Sequence, residues 1–301
     1  MSGDRLRWER DGRDWPHRAL SRFVPAAGLR WHVQRGGQGP SLLLVHGTGA
    51  ATHSWRGLLP LLVPGFDVIA PDLPGHGFTE TPARFRLSLP GMAEALAGLL
   101  EALQVRPELV VGHSAGAAIL ARMCLDERIE PAALISLNGA LLPLRGVPGQ
   151  IFAPLARLFS ASALVPRLFA WHVRHDHQVI EKLLRDTGSR LDPEGIELYA
   201  RIARHPGQVA AAFAMMAQWN LEALRDDLPG LETPLVLVVG GNDRTIRPSE
   251  ASRVRSLLPQ ARIVRLEGLG HLAHEEQPEA VAAVIRAQAD AVNSRRARAA
   301  G

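Results

Sequence analysis

Leu109-Val110-Val111-Gly112-His113-Ser114-Ala115-Gly116-Ala117-Ala118 is the stretch on which the fold turns. Three consecutive apolar β-formers read as a strand buried on both faces, and the run of small residues after Ser114 reads as the start of a helix packed closely on its neighbours. A serine on so sharp a strand-to-helix turn is held in a strained conformation with its hydroxyl exposed, and the residues two before and two after it must be small for the backbones to approach. Gly112 and Gly116 meet that need. The bare G-x-S-x-G pattern also arises by chance, with the serine merely capping a helix, so the chemical reading rests on its partners.

A serine hydroxyl is a weak nucleophile at neutral pH and needs a histidine base with a carboxylate behind it, here in the chain order Ser, Asp, His. Asp243 lies in Gly240-Gly241-Asn242-Asp243, directly after the apolar run 235–239, at the carboxyl edge where sites on parallel sheets form. The rival position, after the run 133–137, holds Asn138, which cannot carry the charge that steadies an imidazolium. His271, in Gly268-Leu269-Gly270-His271, follows the last strand candidate on a glycine-rich loop and is the expected base. His274, about one helical turn on, is expected to face the surface or to cap the helix starting near Pro278. His46-Gly47-Thr48-Gly49 ends the run 42–45, so the Thr48 N–H, with the N–H of Ala115, is the expected oxyanion donor. Taken alone, Gly47 and Gly49 would do no more than make a turn.

Around these motifs, eight strand candidates (21–24, 29–34, 42–45, 68–70, 109–111, 133–137, 235–239 and 262–266) alternate with helical stripes. The first two are joined by the turn-prone Pro25-Ala26-Ala27-Gly28 and read as an antiparallel hairpin; the rest read as a parallel sheet covered on both faces. Met92, Leu96, Leu99, Leu100 and Leu103 share one helix face, as do Val281, Val284, Ile285, Ala289 and Val292 after Pro278. The interval 141–225 is far longer than one crossover needs and reads as a helical cap inserted after the sixth strand. The expected organisation is an N-terminal extension over 1–20, an α/β core over 21–140 and 226–293, and an Arg/Ala-rich disordered tail over 294–301.

Composition narrows the function classes. A single cysteine, Cys124, excludes an internal disulfide and a cysteine zinc site, and points to a reducing compartment such as the cytoplasm. The net charge of +4 is carried almost wholly by arginine, with Lys182 the only lysine, and shows no patterned basic face for nucleic acid. His172, His175, Asp176 and His177 form a polar helix face rather than a metal site, and no metal or other cofactor is expected. Asp72-Leu73-Pro74-Gly75-His76-Gly77 reads as a tight loop whose carboxylate caps backbone groups.

The HGTG, DLPGHG, GHSAG, GGND and GLGH segments, in this order over roughly residues 21–293, resemble the α/β-hydrolase superfamily. More narrowly, residues 8–16, Gly28-Leu29-Arg30-Trp31-His32-Val33 and residues 46–55 are similar to the magnesium-chelatase accessory proteins of bacteriochlorophyll biosynthesis. The resemblance implies a role around magnesium insertion into protoporphyrin, with chelatase subunits as partners. A small hydrophobic substrate, even a tetrapyrrole, fits the apolar cap, where Phe169 and Trp171 could stack on a ring. Two readings stay open beside a serine hydrolase of ester or related acyl bonds. One is a non-catalytic porphyrin-binding accessory protein; the other adds peripheral contact with the inner membrane through the apolar stretch 151–173.

Overall fold

In a computed structural model the chain is described over residues 4–143, 162, 164–176 and 178–300. Eight strands form one sheet in the order β1-β2-β4-β3-β5-β6-β7-β8: β1 Ser21–Ala26, β2 Leu29–Gly36, β3 Ser41–Val45, β4 Asp67–Pro71, β5 Leu109–His113, β6 Ala133–Leu137, β7 Leu235–Gly240 and β8 Arg262–Leu266. β2 runs antiparallel to β1 and β4, and all other pairings are parallel. The expected eight-stranded, mostly parallel sheet is present.

The hairpin turn is tighter than the sequence suggested. Pro25 and Ala26 lie within β1, paired with Arg30 and Leu29, and only Ala27 (φ 49°) and Gly28 (φ 73°) make the turn. Pro25 is tolerated because β1 is an edge strand, where a missing N–H costs no ladder bond.

A short first helix, α1 (Trp8–Asp11), precedes β1. Side chains alternate along each strand and so feed two cores. Leu43, Val45, Val110 and Leu134 pack with α3 (Leu89–Leu103) and α4 (Ala115–Leu125), while Leu42, Leu44, Val111 and Ile135 pack on the opposite face with α2 (Leu59–Leu62) and the last helix, Pro278–Ala300. Burying both faces is what makes these strands continuous apolar runs. The last helix continues through Ala300, past the point where a disordered tail was expected, with Val292 buried and Arg296 reaching Glu108 at 2.8 Å.

Between β6 and β7 the chain forms α5 (Leu164–His175), α6 (Gln178–Asp186), α7 (Pro193–Ala203) and α8 (Pro206–Ala217), called the cap below. The expected cap end at Arg225 falls inside a further helix, Glu222–Asp227, whose Leu224 packs in the main core and whose Asp227 pairs with Arg122 of α4 at 2.6 Å. Ile151, Phe152, Leu155, Leu158 and Phe159, assigned to the cap from sequence, lie outside the described residues. The N-terminal segment wedges between sheet and cap: Leu6 and Trp15 pack with Ala51, Phe78, Leu198 and Ile202, and Arg201 of α7 pairs with Asp14 at 2.7 Å.

Strand order reverses at β3, which has β4 on one side and β5 on the other. The loops leaving the carboxyl ends of β3 and β5 therefore flank the crevice where open parallel sheets place their ligands. These loops begin at His46 and Ser114.

Candidate active site

Ser114 sits at φ 52°, ψ −116°, a conformation that costs an L-residue energy and survives only where its surroundings hold it. They do: its N–H donates to Leu137 O (3.1 Å), and its carbonyl accepts from Ala117 N (3.2 Å) and Ala140 N (3.0 Å). The flanking glycines are there for want of space. A Cβ at Gly116 would strike the Val45 carbonyl, and one at Gly112 would strike the backbone of Ala117.

Beside the elbow lies the loop after β3. A Cβ on Gly47 would stand 2.9 Å from Ser114 Cβ, so the two backbones are as close as atoms permit. His46 Nε2 accepts from Leu73 N (2.9 Å), which leaves Nδ1 as the protonated nitrogen, and Nδ1 donates to Gly47 O at 2.8 Å. Because the peptide is planar and trans, fixing that carbonyl aims the Thr48 N–H the opposite way. Among the described residues neither the Thr48 N–H nor the Ala115 N–H has a hydrogen-bond partner. The cap reaches this loop, with Thr48 Oγ1 lying 3.4 Å from Met215 Sδ of α8.

His271 Nδ1 donates to Asp243 Oδ2 at 2.8 Å, and both side chains are buried. The other oxygen of Asp243 accepts from Thr245 N (2.7 Å) and Ile246 N (2.9 Å), which locks the carboxylate in place. Asn138, rejected from sequence as the acid, has a different task. Its Oδ1 accepts from Gly240 N (2.7 Å), and its Nδ2 donates to Gly270 O (3.0 Å) and His271 O (2.8 Å), tying the end of β7 to the loop that carries His271. His113 helps, since a carbonyl can only accept: its Nε2 donates to His271 O at 3.0 Å. Burial, reinforced by His274 and His271 nearby, pushes the His113 pKa well below its usual value and keeps that ring neutral.

His274 does not face the surface as expected. It is 1% exposed, set at a tilt between Trp55 and His113 (centroids 4.7 and 4.5 Å), with Nε2 2.7 Å from Ser54 Oγ. Its helix is the short turn Ala273–Glu276. Asp72 caps backbone groups as expected, accepting from Thr52 N (2.7 Å) and Phe78 N (2.9 Å), and also holds His32 Nδ1 at 2.7 Å. Phe169 is half-buried and meets Phe213 of α8, whereas Trp171 is 56% exposed and stacks on His175 of its own helix. His177 lies outside the described residues, and among those described no three His, Cys, Asp or Glu side chains could hold a metal ion.

The parts with no signature in the sequence are Asn138, His113 and His46 as struts. An Asn before a Gly at a strand end is the one available hint, since Asn138 adopts φ 45°.

Comparison with known proteins agrees with this architecture. Over 90% of its length the chain is 37% identical to 95% of the magnesium-chelatase 30 kDa subunit of Rhodobacter capsulatus. It is 29% identical to the uncharacterized hydrolase YugF of Bacillus subtilis, over 83% of the chain and 89% of that protein. A solved structure of an alpha/beta hydrolase fold protein from Burkholderia ambifaria superposes with a TM-score of 0.74, covering 88% of this chain and 97% of the other at 23% identity, a likeness of fold. Residues 42–284 match the family described as alpha/beta hydrolase. With its elbow, rim loops and sheet order, the chain belongs to the alpha/beta hydrolase family.

Proposed function

We propose that the chain is a serine hydrolase of ester or related acyl bonds, working through Ser114, His271 and Asp243 and serving the magnesium-chelatase step of bacteriochlorophyll synthesis. The observation that carries the chemistry is the 2.8 Å bond from His271 Nδ1 to Asp243, which fixes the tautomer with Nε2 free to accept a proton. In this reading Ser114 Oγ attacks the carbonyl carbon as its proton passes to His271 Nε2. The oxyanion forms where the N–H groups of Thr48 and Ala115, unpaired among the described residues, receive it. Collapse breaks the bond to the leaving group, which takes the proton from His271, and a water activated by the same imidazole then releases the acyl group.

The placement in pigment synthesis rests on the relative's name and not on any contact in the site. Chelatase subunits are the proposed partners, and a hydrophobic substrate, up to a tetrapyrrole, the proposed occupant beneath the cap. Phe169 connects to the oxyanion loop through α8, which also carries Met215, and is the better placed of the two aromatic cap residues to touch it. The proposed location is the cytoplasm with peripheral contact at the inner membrane; no helix among the described residues is long and apolar enough to cross a membrane.

A fluorophosphonate probe tests the mechanism. Labelling of the wild type that vanishes in Ser114→Ala is the expected result, and an unlabelled wild type would favour a porphyrin-binding accessory role. Accumulation of tetrapyrrole precursors in a pigment-producing cell carrying Ser114→Ala tests the placement, and an unchanged pigment profile would refute it.

A further inference from the structure

The loop between α6 and α7 belongs to the cap by chain order, yet it is built into the rim of the sheet. Thr187 O accepts from Arg244 N (3.0 Å), next to Asp243. Ser189, 1% exposed, accepts through Oγ from Leu272 N (2.8 Å), next to His271. Glu276 accepts from Arg190 N (3.1 Å) with one oxygen and from Gly270 N (2.8 Å) with the other, a bridge from cap to base loop. Between these bonds lies a steric contact. A Cβ on Gly188, at φ 90°, would strike the Asn242 carbonyl, and one on Gly270 would strike Gly188 itself. The acid and base loops are also stitched to each other, through Asn242 N to Leu269 O (2.8 Å) and Asn242 Nδ2 to Gly268 O (2.8 Å).

The base loop is thus held from two sides. His113 and Asn138 grip the His271 carbonyl from the core, and Ser189 grips the next N–H from the cap. Beyond them, Arg56 joins Asp192, the N-cap of α7, to the buried Glu275 at 2.8 and 2.5 Å, and Tyr199 of α7 donates to Glu275 at 2.7 Å.

We propose that the 187–190 loop is a positioning element for the base. Ser189 fixes the backbone at His271, and Gly188 fills the gap between the two rim loops, so that His271 is set against Asp243 only while this loop is in place. The inference rests on the hydrolase reading for its consequence: a displaced 187–190 loop leaves the base misset and slows acylation of Ser114. Ser189 touches no reacting atom; it acts through His271.

The test compares wild type, Ser189→Ala, Ser189→Thr and Arg201→Ala, the last breaking the cap's pair with Asp14 away from this loop. Two readouts are taken: the rate of fluorophosphonate labelling against pH, and the titration of the His271 imidazole by NMR. The ionisable side chains around that ring are Asp243, His113 and His274, with Glu276 on the loop's backbone, and none is altered in these variants.

Ser189→Ala is expected to slow labelling roughly tenfold, the upper range for loss of one neutral hydrogen bond, and to move the pH midpoint. Ser189→Thr, which keeps the hydroxyl, restores both, and Arg201→Ala matches the wild type. A Ser189→Ala protein with wild-type rate and midpoint overturns the inference and leaves the hydrolase reading intact. A wild type that does not label removes the hydrolase reading, and the His271 titration then decides alone: a shifted midpoint supports positioning, an unshifted one ends it. Should Ser189→Ala fail to fold, Ser189→Cys, which keeps the side chain's shape but offers Leu272 N only a weak sulfur acceptor, is read by the same criteria.

Discussion

His271 and His274 stand three residues apart, both buried, and the structure puts them to opposite uses. The first lies on a loop at the rim, with Nδ1 given to a carboxylate. The second lies on a helical turn beneath it, wedged between Trp55 and His113, with Nδ1 unpartnered among the described residues and burial pushing its pKa down to about 3. An imidazole becomes a base through what its nitrogens meet. Burial alone makes it a spacer.

Replacing the two in turn is the most forceful way to break the comparison. His271→Ala is expected to lower kcat by about 10⁴ to 10⁶ with the fold retained, the scale seen when one member of such a unit is removed. His274→Ala should leave the protein that remains folded active while lowering stability by about 2–4 kcal/mol, as for other large buried rings cut to alanine, read by denaturant unfolding. Equal loss of kcat in both would sink the distinction.

Acid sharpens it. His53, His76 and His274 are each pushed to about 3, first by burial, so the folded chain keeps them neutral where the unfolded chain, near 6.5, takes up protons. Each therefore removes stability as pH falls below 6.5, at about 1.4 kcal/mol per pH unit. Glu275 works the other way: burial outweighs Arg56 and raises it to about 7, so its proton stabilises the fold as pH drops from 7 towards 4.5. The histidines outnumber it, and unfolding measured from pH 7 to 5 should show falling stability. His274→Gln should flatten that slope by about 1 kcal/mol per pH unit, and an unchanged slope would place His274 in water.

The smallest effect is expected at the cap surface. Trp171 is 56% exposed, and Trp171→Ala should change unfolding free energy by no more than about 0.5 kcal/mol. A larger loss would mean that the ring is covered.

The eight strands and the elbow could be read from the chain because their causes are local. A strand buried on both faces has to be a continuous apolar run, and a serine at positive φ between close-packed backbones has to be flanked by glycine. Asp243 and His271, joined at 2.8 Å, each follow a strand end on a turn-rich loop, which is the local mark that singles them out in the chain. The remainder depends on partners far away in sequence. His274 is buried by Trp55, Asn138 serves a loop more than a hundred residues on, and Ser189 bonds to Leu272, with no local pattern to mark any of the three. Pro25 has the composition of a turn residue, though its place at the sheet edge lets it extend the strand.

The glycine-to-glycine contact between residues 188 and 270 bears on how such proteins can be recombined. A chimera that exchanges the insert between β6 and β7 as a self-contained block carries a foreign 187–190 loop into a slot cut for this one. Grafting the rim loops at 240–244 and 268–276 along with it keeps the mating surfaces together. The unit to be moved is then scattered across three stretches of chain, and shuffling at the insert's two ends alone should yield folded proteins in which the 187–190 loop no longer mates with the rim.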